Sequence, residues 1–438
     1  MTLPLRELVA ALGSGELSPT EHVADVLDRL AADTHNAVVT LDAERALATA
    51  AERTAELSHG RRRGPLHGVA VGVKDLIDVA GLPTRAGSNV LADAPPAGAD
   101  APVVARLREA GAVVVAKLHT HEFAYGPTGD VAATGPARNP RDRTLIPGGS
   151  SSGSAAAVAA GHLPLALGTD TGCSVRTPAA LCGVVGLKPT LGRLPTDGVF
   201  PLSETCDHIG VITGDVPDAA LAWDVLCPGD DAVSTSDMTG LRIGVPVDAY
   251  WRPADPGIAQ SVDGAVAALR GAGAEVVEIR LPMIDELAAT YSPIVGAEAW
   301  ATHAAWLRDR PSDYQDVTRA RLEPFAEQPA REYVDALRTR RRLAAAMRAA
   351  AGDLDALVLA TARQRATPIG VPEVDIDGQR VPVRPALLAL ALPFNLTGWP
   401  AVSVPGPVPA GALPAGVQVV GVRLAEPGVL RVAAAIAA

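Results

Sequence analysis

Aromatic side chains are scarce in this sequence, since Phe, Trp and Tyr make up only 3% of its 438 residues. Hydrophobic residues nevertheless account for 48% of the chain, which is enough to bury a large core. That core is therefore expected to consist mostly of Ala, Val and Leu.

An excess of positive charge is also absent. The chain carries 38 Lys and Arg against 49 Asp and Glu, which gives a formal net charge of −11 at pH 7. Proteins that bind nucleic acid or anionic membrane surfaces depend on basic surface. The acidic balance therefore argues against a general binder of nucleic acid or membranes, although it leaves room for a small basic pocket.

Cysteines and long apolar runs are equally sparse. The four cysteines, Cys173, Cys182, Cys206 and Cys227, form no CxxC pair and no cluster with histidines, so no metal site is expected. No apolar run reaches about 18 residues, the length needed to span a bilayer. The N-terminal segment has the pattern of an amphipathic helix rather than of a signal peptide. We therefore expect a cytoplasmic enzyme that uses no cofactor.

Strands alternate with helices along most of the chain. Valines at alternate positions in 69–73 predict a strand that ends near Lys74, and a helix followed by an apolar strand recurs at 101–118, 154–168 and 261–281. This order is typical of an α/β fold in which helices pack in layers on a mixed, mostly parallel central sheet.

We expect a single domain over residues 1–438. Its predicted parts are N-terminal helices at 1–58 and a core at 64–227 that contains the candidate catalytic residues. A helical excursion and pocket-forming region follows at 228–370 and begins with a polar connection at 228–240. The chain then returns to the sheet at 371–438.

Lys74 follows an apolar strand, as a buried catalytic base would. Serine is a weak nucleophile until a positioned base takes its proton. The strand–turn–helix setting of a GxSxG nucleophile elbow, which works with histidine, does not appear in this chain. A buried lysine with a lowered pKa can act as the base instead, and Lys74 is flanked by Val73, Leu76 and Ile77. On these residues alone a structural ion pair of Lys74 is the favoured interpretation, and the catalytic base is the alternative.

Two serines lie in turns that contain glycine. Ser150 belongs to GGSSSGS at 148–154, where the glycines free the backbone, and a helix-forming run follows. Ser174 ends the turn TDTGCS at 169–174, directly after the apolar strand PLALG. Consecutive backbone N–H groups in such a turn can converge on one point, as stabilisation of an oxyanion requires. Ser174 would then hold a nucleophilic oxygen beside its own oxyanion hole.

The order of these motifs resembles the amidase signature family over nearly the whole chain. The matching segments are GPLHGVAVGVKDLIDVAGLPTRAGS, KLHTHEFAYGPTG, RNPRDRTLIPGGSSSGSAAAVAAG, GTDTGCSVRTPAALCGVVGLKPTLGR and DHIGVITGDVPDAA, with a return at LPFNLTGWPAVSVPG and LPAGVQVVG. Each segment is weak alone, but their common order and spacing are specific. The resemblance implies one α/β/α domain that hydrolyses a linear small-molecule amide to a carboxylate plus ammonia or an amine.

The resemblance also implies a catalytic triad. Ser174 would be the nucleophile, Ser150 the bridging serine after a cis peptide bond, and Lys74 the general base. Attack by Ser174 on the amide would form an acyl-enzyme, which water then hydrolyses.

Further site residues follow from the same resemblance. Supporting roles are expected for Ser151 and for Asp170 with Arg176, whose charge-assisted hydrogen bond would fix the nucleophile turn. The oxyanion hole would consist of the backbone N–H groups of Thr171, Gly172, Cys173 and Ser174. The substrate pocket would include Phe123, Tyr125, Arg363 and Arg365, while Trp399 is expected either in this pocket or in the core.

Two places depart from the family pattern. Many relatives have glycine where this chain has Cys173. A positive φ at this position would strain a cysteine. We therefore expect that Cys173 is a tolerated small residue whose φ is not positive. Arg363 and Arg365 occupy a segment that is often rich in Pro and Thr and lies near the substrate pocket in the family. They are predicted either to pair with a substrate carboxylate or to lie in a solvated loop.

Other functions share this framework. One is the amidase (A) subunit of a glutamyl- or aspartyl-tRNA amidotransferase, which needs partner subunits and tRNA. Another is a hydrolase of urea-derived substrates such as carboxybiuret or allophanate, and a third is a catalytically silent binding protein, supported only by Cys173. We favour the free hydrolase, with a small-molecule amide as its partner, no nucleic acid and no membrane. A homodimer, frequent in the family, is compatible with this expectation.

Overall fold

The computed structural model describes residues 3–229, 237–281, 283–376 and 378–437. The polar connection predicted at 228–240 lies mostly outside these residues.

Thirteen strands are described and are named in chain order. They are β1 (Val38–Leu41), β2 (Ala70–Lys74), β3 (Val113–Leu118), β4 (Leu165–Thr169), β5 (Val185–Lys188), β6 (Ile209–Thr213), β7 (Arg242–Pro246), β8 (Glu275–Ile279), β9 (Ala356–Ala360), β10 (Glu373–Ile376), β11 (Gln379–Pro382), β12 (Ala401–Pro405) and β13 (Gly416–Gly421).

Fifteen α-helices are described between and after these strands. They are α1 (Leu5–Ser14), α2 (Pro19–Ala31), α3 (Ala43–Ser58), α4 (Pro102–Glu109), α5 (Ser152–Ala159), α6 (Arg176–Cys182), α7 (Val216–Leu226), α8 (Pro256–Gly271), α9 (Ile284–Ala289), α10 (Tyr291–Asp309), α11 (Asp316–Leu322), α12 (Ala330–Ala351), α13 (Val383–Leu388), α14 (Pro393–Leu396) and α15 (Glu426–Ala437).

Eleven of the strands form one sheet in the order β1-β3-β2-β4-β6-β5-β12-β13-β9-β7-β8, while β10 and β11 pair separately. The α/β class and the mixed sheet are confirmed. Parallel neighbours lie in the two flanks, β3-β2-β4 and β9-β7-β8, and the strands between them pair antiparallel. The unit β4-α6-β5 does place two strands parallel, but β6 inserts between them and runs antiparallel to both. Alternation of strands and helices therefore indicates more parallel pairing than the centre of the sheet contains.

Side chains alternate along the buried strands and build a core on each face of the sheet. In β4, Leu165 and Leu167 join the core formed with α1, α4, α7, α8 and α15, whereas Ala166 joins the core formed with α2, α3, α5 and α6. Both cores consist mostly of aliphatic residues, and Trp223 is the only aromatic residue in either cluster within the described chain. The expectation of a core rich in Ala, Val and Leu is met.

The N-terminal 58 residues hold three helices and one strand instead of helices alone. The helix α2 begins at a capping box in which the Ser18 and Glu21 side chains each accept the other's backbone N–H. The segment VVTL that follows is rich in β-branched residues, which favour strands. It forms β1, which extends the sheet by pairing antiparallel with β3.

A third apolar cluster contains most of the buried aromatic residues. It is formed largely by helices α9 to α14, together with side chains from β9, β12 and β13. The region predicted as a helical excursion therefore supplies the helices α9 to α12, but it also contributes β7, β8 and β9 to the sheet. None of the described helices combines the length and the apolar composition that a membrane-spanning helix needs.

Candidate active site

The strands β2 and β4 bring two polar side chains to one edge of the sheet. Lys74 is the last residue of β2 and Thr169 is the last residue of β4. These strands are parallel neighbours, with Val73 opposite Leu167. Parallel strands end at the same edge, which is where open α/β sheets bind their ligands.

The Lys74 amine is enclosed between two hydroxyl groups. Its Nζ donates to Ser150 Oγ and to Thr169 Oγ1, both at 2.7 Å, and the side chain is fully buried. Burial lowers the pKa of Lys74 to about 7, although the negative charges of Asp170 and Asp207 act in the opposite direction. An amine with this pKa is neutral in a large fraction of molecules near pH 7, so it can accept a proton.

Glycines shape the loop that holds Ser150. Gly148 has a φ of 81°, a left-handed conformation that glycine adopts readily, and the peptide bond between Gly149 and Ser150 is cis. At Gly153 an added Cβ would lie 2.3 Å from the carbonyl oxygen of Ala37. Larger residues at positions 148 or 153 would therefore displace the loop.

Ser151 joins the two serine turns. Its hydroxyl donates to the Thr169 carbonyl at 3.1 Å and accepts from the Thr169 N–H at 3.2 Å. Its backbone N–H donates to the Ser174 carbonyl at 3.1 Å. The turn that ends at Ser174 is therefore held against the loop that carries Ser150.

The turn before α6 presents backbone N–H groups without acceptors. Within the described chain, none of the amides at 171–174 donates a hydrogen bond to another protein group. The next two amides, those of Val175 and Arg176, donate to Asp170 Oδ2. Ser174 itself is buried, with 5% of its surface exposed. Amides that converge beside a serine in this way can stabilise the oxyanion of a tetrahedral intermediate.

Asp170 and Arg176 form a fully buried ion pair across the turn. Arg176 Nη2 lies 3.0 Å from Asp170 Oδ1, and Nε lies 3.1 Å from Oδ2. Asn395 Nδ2 donates to Oδ1 at 2.9 Å, and Arg176 also donates to the Gly172 carbonyl. Burial alone would raise the pKa of Asp170, but the Arg176 charge and these hydrogen bonds hold it well below its usual range. The pair fixes both ends of the turn.

Replacement of Arg176 by Met is expected to destabilise the protein by about 3–5 kcal/mol, because the Asp170 charge would stay buried without its partner. Chemical denaturation measures this loss. Arg338→Met is the matched control, since Arg338 pairs with Asp335 on an exposed helix surface, where an ion pair contributes little. Equal losses in the two variants would contradict a structural role for the buried pair.

Cys173 shows no backbone strain. It is absent from the described non-glycine residues that have positive φ, and burial raises the pKa of its thiol to about 12. The space beside the turn is restricted at the preceding residue, Gly172, where a Cβ would lie 2.6 Å from Tyr291 Oη. Cys173 is therefore a protonated, buried thiol in an ordinary backbone conformation.

A small cavity of about 10 Å³ opens beside Ser174. A larger cleft of about 640 Å³ lies between Arg63, Arg106 and Cys227, but no candidate catalytic residue lines it. Chemistry rather than size therefore assigns the site to the smaller cavity. Its lining residues are Ala124, Tyr125, Gly126, Pro127, Thr171, Cys173, Ser174, Leu202, Tyr291, Arg384 and Leu388.

Of the predicted aromatic pocket residues, only Tyr125 lines this cavity. Phe123 is buried in the third apolar cluster, where its ring centroid lies 4.3 Å from that of His303. Trp399 is buried in the same cluster beneath the guanidinium of Arg348. Neither residue belongs to the cavity lining.

The two arginines predicted to contact a substrate carboxylate also lie outside the lining. Arg363 donates to the Tyr250 carbonyl and stacks over the ring of that residue. Arg365 Nε lies 2.6 Å from Asp255 Oδ2. Because both guanidinium groups already have protein partners, the geometry gives no support to the predicted contact.

Sequence reasoning missed several residues at the site. Thr169 is the second partner of Lys74, and its place at the end of a buried strand was a usable signal. The Thr171 hydroxyl, in the turn that ends at Ser174, donates to Asp207 Oδ1 at 2.5 Å. Burial raises the pKa of Asp207 to about 6. Tyr291 and Arg384 line the cavity from α10 and α13. Tertiary packing alone brings these two helices to the site, so no motif spacing indicates them.

Known proteins resemble this chain in both sequence and fold. The chain matches the Amidase family over residues 21–430. It is 37% identical over 431 residues to a 1-carboxybiuret hydrolase subunit from Pseudomonas sp. (strain ADP), a match that covers 94% of this chain and 93% of that protein. It is 35% identical over 467 residues to the A subunit of the glutamyl-tRNA(Gln) amidotransferase from Geobacter metallireducens, covering 98% and 96%. A solved amidase structure superimposes with a TM-score of 0.93 at 36% identity, covering 99% of both chains.

The chain therefore belongs to the amidase family. Members of this family are amidohydrolases that act on C–N bonds. The predicted family and enzyme class are both confirmed.

Proposed function

We propose that the protein hydrolyses a linear small-molecule amide to a carboxylate plus ammonia or an amine, with Ser174 as the nucleophile. The observation that carries this proposal is the 2.7 Å hydrogen bond between the buried amine of Lys74 and the hydroxyl of Ser150. A neutral lysine in contact with a serine hydroxyl is a base with a route for a proton.

In the proposed reaction Ser150 relays a proton between Ser174 and Lys74. Neutral Lys74 takes the Ser150 proton while Ser150 takes that of Ser174, and Ser174 Oγ attacks the amide carbonyl carbon. The amides at 171–174 hold the oxyanion. The C–N bond then breaks as the leaving nitrogen receives a proton through the same relay, which leaves an acyl ester on Ser174. Water attacks this ester, and the relay returns the proton to Ser174 as the carboxylate leaves.

A substrate of few atoms fits this site best. The cavity beside Ser174 has a volume of about 10 Å³, far below the roughly 300–1,000 Å³ that is usual for ligand sites. Apolar and aromatic groups form much of its lining, including Leu202, Tyr125 and Leu388. A short linear amide is therefore favoured over a long peptide.

A second candidate is the amidase subunit of a tRNA-dependent amidotransferase, favoured by the 35% identity to such a protein over 98% of this chain. In that role the chain would act with partner subunits. A hydrolase of a carboxylated urea derivative is a narrower form of the main proposal, favoured by the 37% identity to a 1-carboxybiuret hydrolase subunit. We propose the free hydrolase because its chemistry needs only this chain. We also propose that it acts in the cytoplasm.

Ammonia release by the purified chain separates these functions. The substrates are aliphatic amides, aryl acetamides, glutamine and carboxylated ureas, each measured alone. The free hydrolase predicts release from at least one small amide other than glutamine without added protein. Release from glutamine alone, or none from any substrate until partner subunits are added, would contradict the free hydrolase and support the role in an amidotransferase.

The proposal also predicts how activity depends on pH. Burial lowers the pKa of Lys74 to about 7, and only the neutral amine can accept a proton. We expect kcat/KM to fall about tenfold per pH unit well below pH 7 and to level off above it. Circular dichroism over the same range controls for unfolding. A flat profile between pH 5 and 9 would contradict Lys74 as the base.

A further inference from the structure

The cavity beside Ser174 has one charged side chain in its lining. Of the residues that form it, only Arg384 carries a formal charge. Its guanidinium lies 5.7 Å from the ring centroid of Tyr125, which also lines the cavity. A cation–π contact of this kind holds an arginine without neutralising its charge.

Arg384 has no acidic partner among the residues that the structure describes. Within the described chain it takes part in no ion pair and donates no hydrogen bond, although the residue is half-buried. Two nearby arginines show the usual arrangement, since Arg365 pairs with Asp255 and Arg380 pairs with Glu373. A half-buried guanidinium that lacks a carboxylate offers a fork of donors to an anionic ligand.

A second cation strengthens the positive potential at this position. Arg321 donates to the Tyr125 carbonyl and contacts His121. Burial and, to a smaller extent, the charge of Arg384 lower the pKa of Arg321 to about 10, and both arginines contact Tyr125. Asp170, the buried carboxylate closest in sequence to Ser174, is already paired with Arg176. Among the described residues that line the cavity, Arg384 is therefore the one cation and no carboxylate accompanies it.

We infer that Arg384 binds a carboxylate of the substrate, so that the preferred substrate is a short amide with an anionic group at its other end. This inference rests on the proposed hydrolysis at Ser174 and names its substrate class. The reaction is unchanged: water is consumed, the C–N bond breaks, ammonia leaves, and a monoamide acid becomes a dicarboxylate. Arg384 acts by holding the unreactive carboxylate while Ser174 attacks the amide carbonyl.

Pairs of substrates that differ only in charge test this inference. Malonamate, succinamate and glutaramate are compared with malonamide, succinamide and glutaramide, in which a neutral amide replaces the carboxylate. We expect the wild type to prefer the acid of at least one pair in kcat/KM. Arg384→Gln should lower kcat/KM for that acid about 10- to 100-fold, mainly through KM, because one charge-assisted contact is lost. The same variant should lower kcat/KM for the matching diamide by a clearly smaller factor, because the diamide has no carboxylate for the guanidinium to bind.

Two further variants and a binding measurement complete the experiment. Arg384→Lys keeps the charge without the fork and should recover part of the preference, whereas Arg380→Gln, on the neighbouring strand β11, should change nothing. Calorimetric titration of Ser174→Ala with the same acids reports binding without turnover. Adding Arg384→Gln to that variant should weaken the binding of the acid by a similar factor.

The two proposals fail in different ways. Diamide hydrolysis that is lost in Ser174→Ala, with no preference for any acid in turnover or binding, would overturn the role of Arg384 and leave the hydrolase intact. Acid binding that depends on Arg384 in a chain that releases no ammonia would support the anionic subsite and overturn the free hydrolase. A preference for the acid that Arg384→Gln retains would also overturn the inference.

Discussion

Ser174→Ala is expected to lower the rate of amide hydrolysis by about 10⁴-fold or more, because the hydroxyl that forms the covalent bond is gone. The substitution removes one oxygen atom from a residue that makes no side-chain hydrogen bond within the described chain. Its backbone carbonyl still accepts from the Ser151 N–H. The fold should therefore persist, and ammonia release at saturating substrate measures the loss.

Ser154→Ala is the matched control for this variant. Ser154 is equally a buried serine, and its hydroxyl donates to the Leu167 carbonyl at 2.9 Å. Its removal should cost stability of about 1 kcal/mol and leave the rate per folded molecule within a few fold. Activity that survives in Ser174→Ala at more than about a hundredth of the wild-type rate would mean that another group is the nucleophile.

Lys74→Met is expected to lower kcat by about 10²- to 10⁴-fold near pH 7, because no group remains to accept the proton from Ser150. Methionine fills a similar volume, so the variant creates no large cavity. It also removes an amine whose burial is unfavourable, although Ser150 and Thr169 each lose a hydrogen-bond partner. These changes in stability oppose each other, and the melting temperature should move by only a few degrees.

The pH profile of the residual activity identifies the cause. If Lys74 is the base, the rise near pH 7 disappears in Lys74→Met and the small remaining rate depends on hydroxide. Lys117→Met is the matched control, since Lys117 is also a buried lysine on a neighbouring strand but pairs with Asp75. That variant should lose stability while its folded fraction keeps the pH dependence. A rise near pH 7 that persists in Lys74→Met would assign it to another group, such as Asp207.

Local motifs carried most of what the sequence revealed about the site. Lys74, Ser150 and the turn up to Ser174 are each coded by a short segment at the end of a strand or the start of a helix. Parallel pairing of β2 with β4 then places two of these segments at one edge of the sheet. Such an arrangement follows from strand order and chain direction, so motif spacing is sufficient to indicate it. The catalytic roles of these residues stay predictions.

The remaining features depend on contacts between distant parts of the chain. Arg365 pairs with Asp255, which lies 110 residues away in the sequence. No spacing rule predicts that Asp255 balances the charge of Arg365. Arg384 reaches the cavity because α13 packs near the nucleophile turn, with its Leu387 carbonyl bound by Thr177. The insertion of β6 between β4 and β5 is equally non-local. Substrate recognition was therefore the part of the site that sequence reasoning located least well.

Capture of the acyl-enzyme tests the central claim most directly. The protein is mixed with a small activated ester such as p-nitrophenyl acetate, quenched in acid and digested, and the peptides are identified by mass spectrometry. The account predicts an acetyl group on Ser174 in the wild type and none there in Ser174→Ala or Lys74→Met. An acetyl group on Ser150 or Cys173 with Ser174 unmodified would contradict the assignment of the nucleophile.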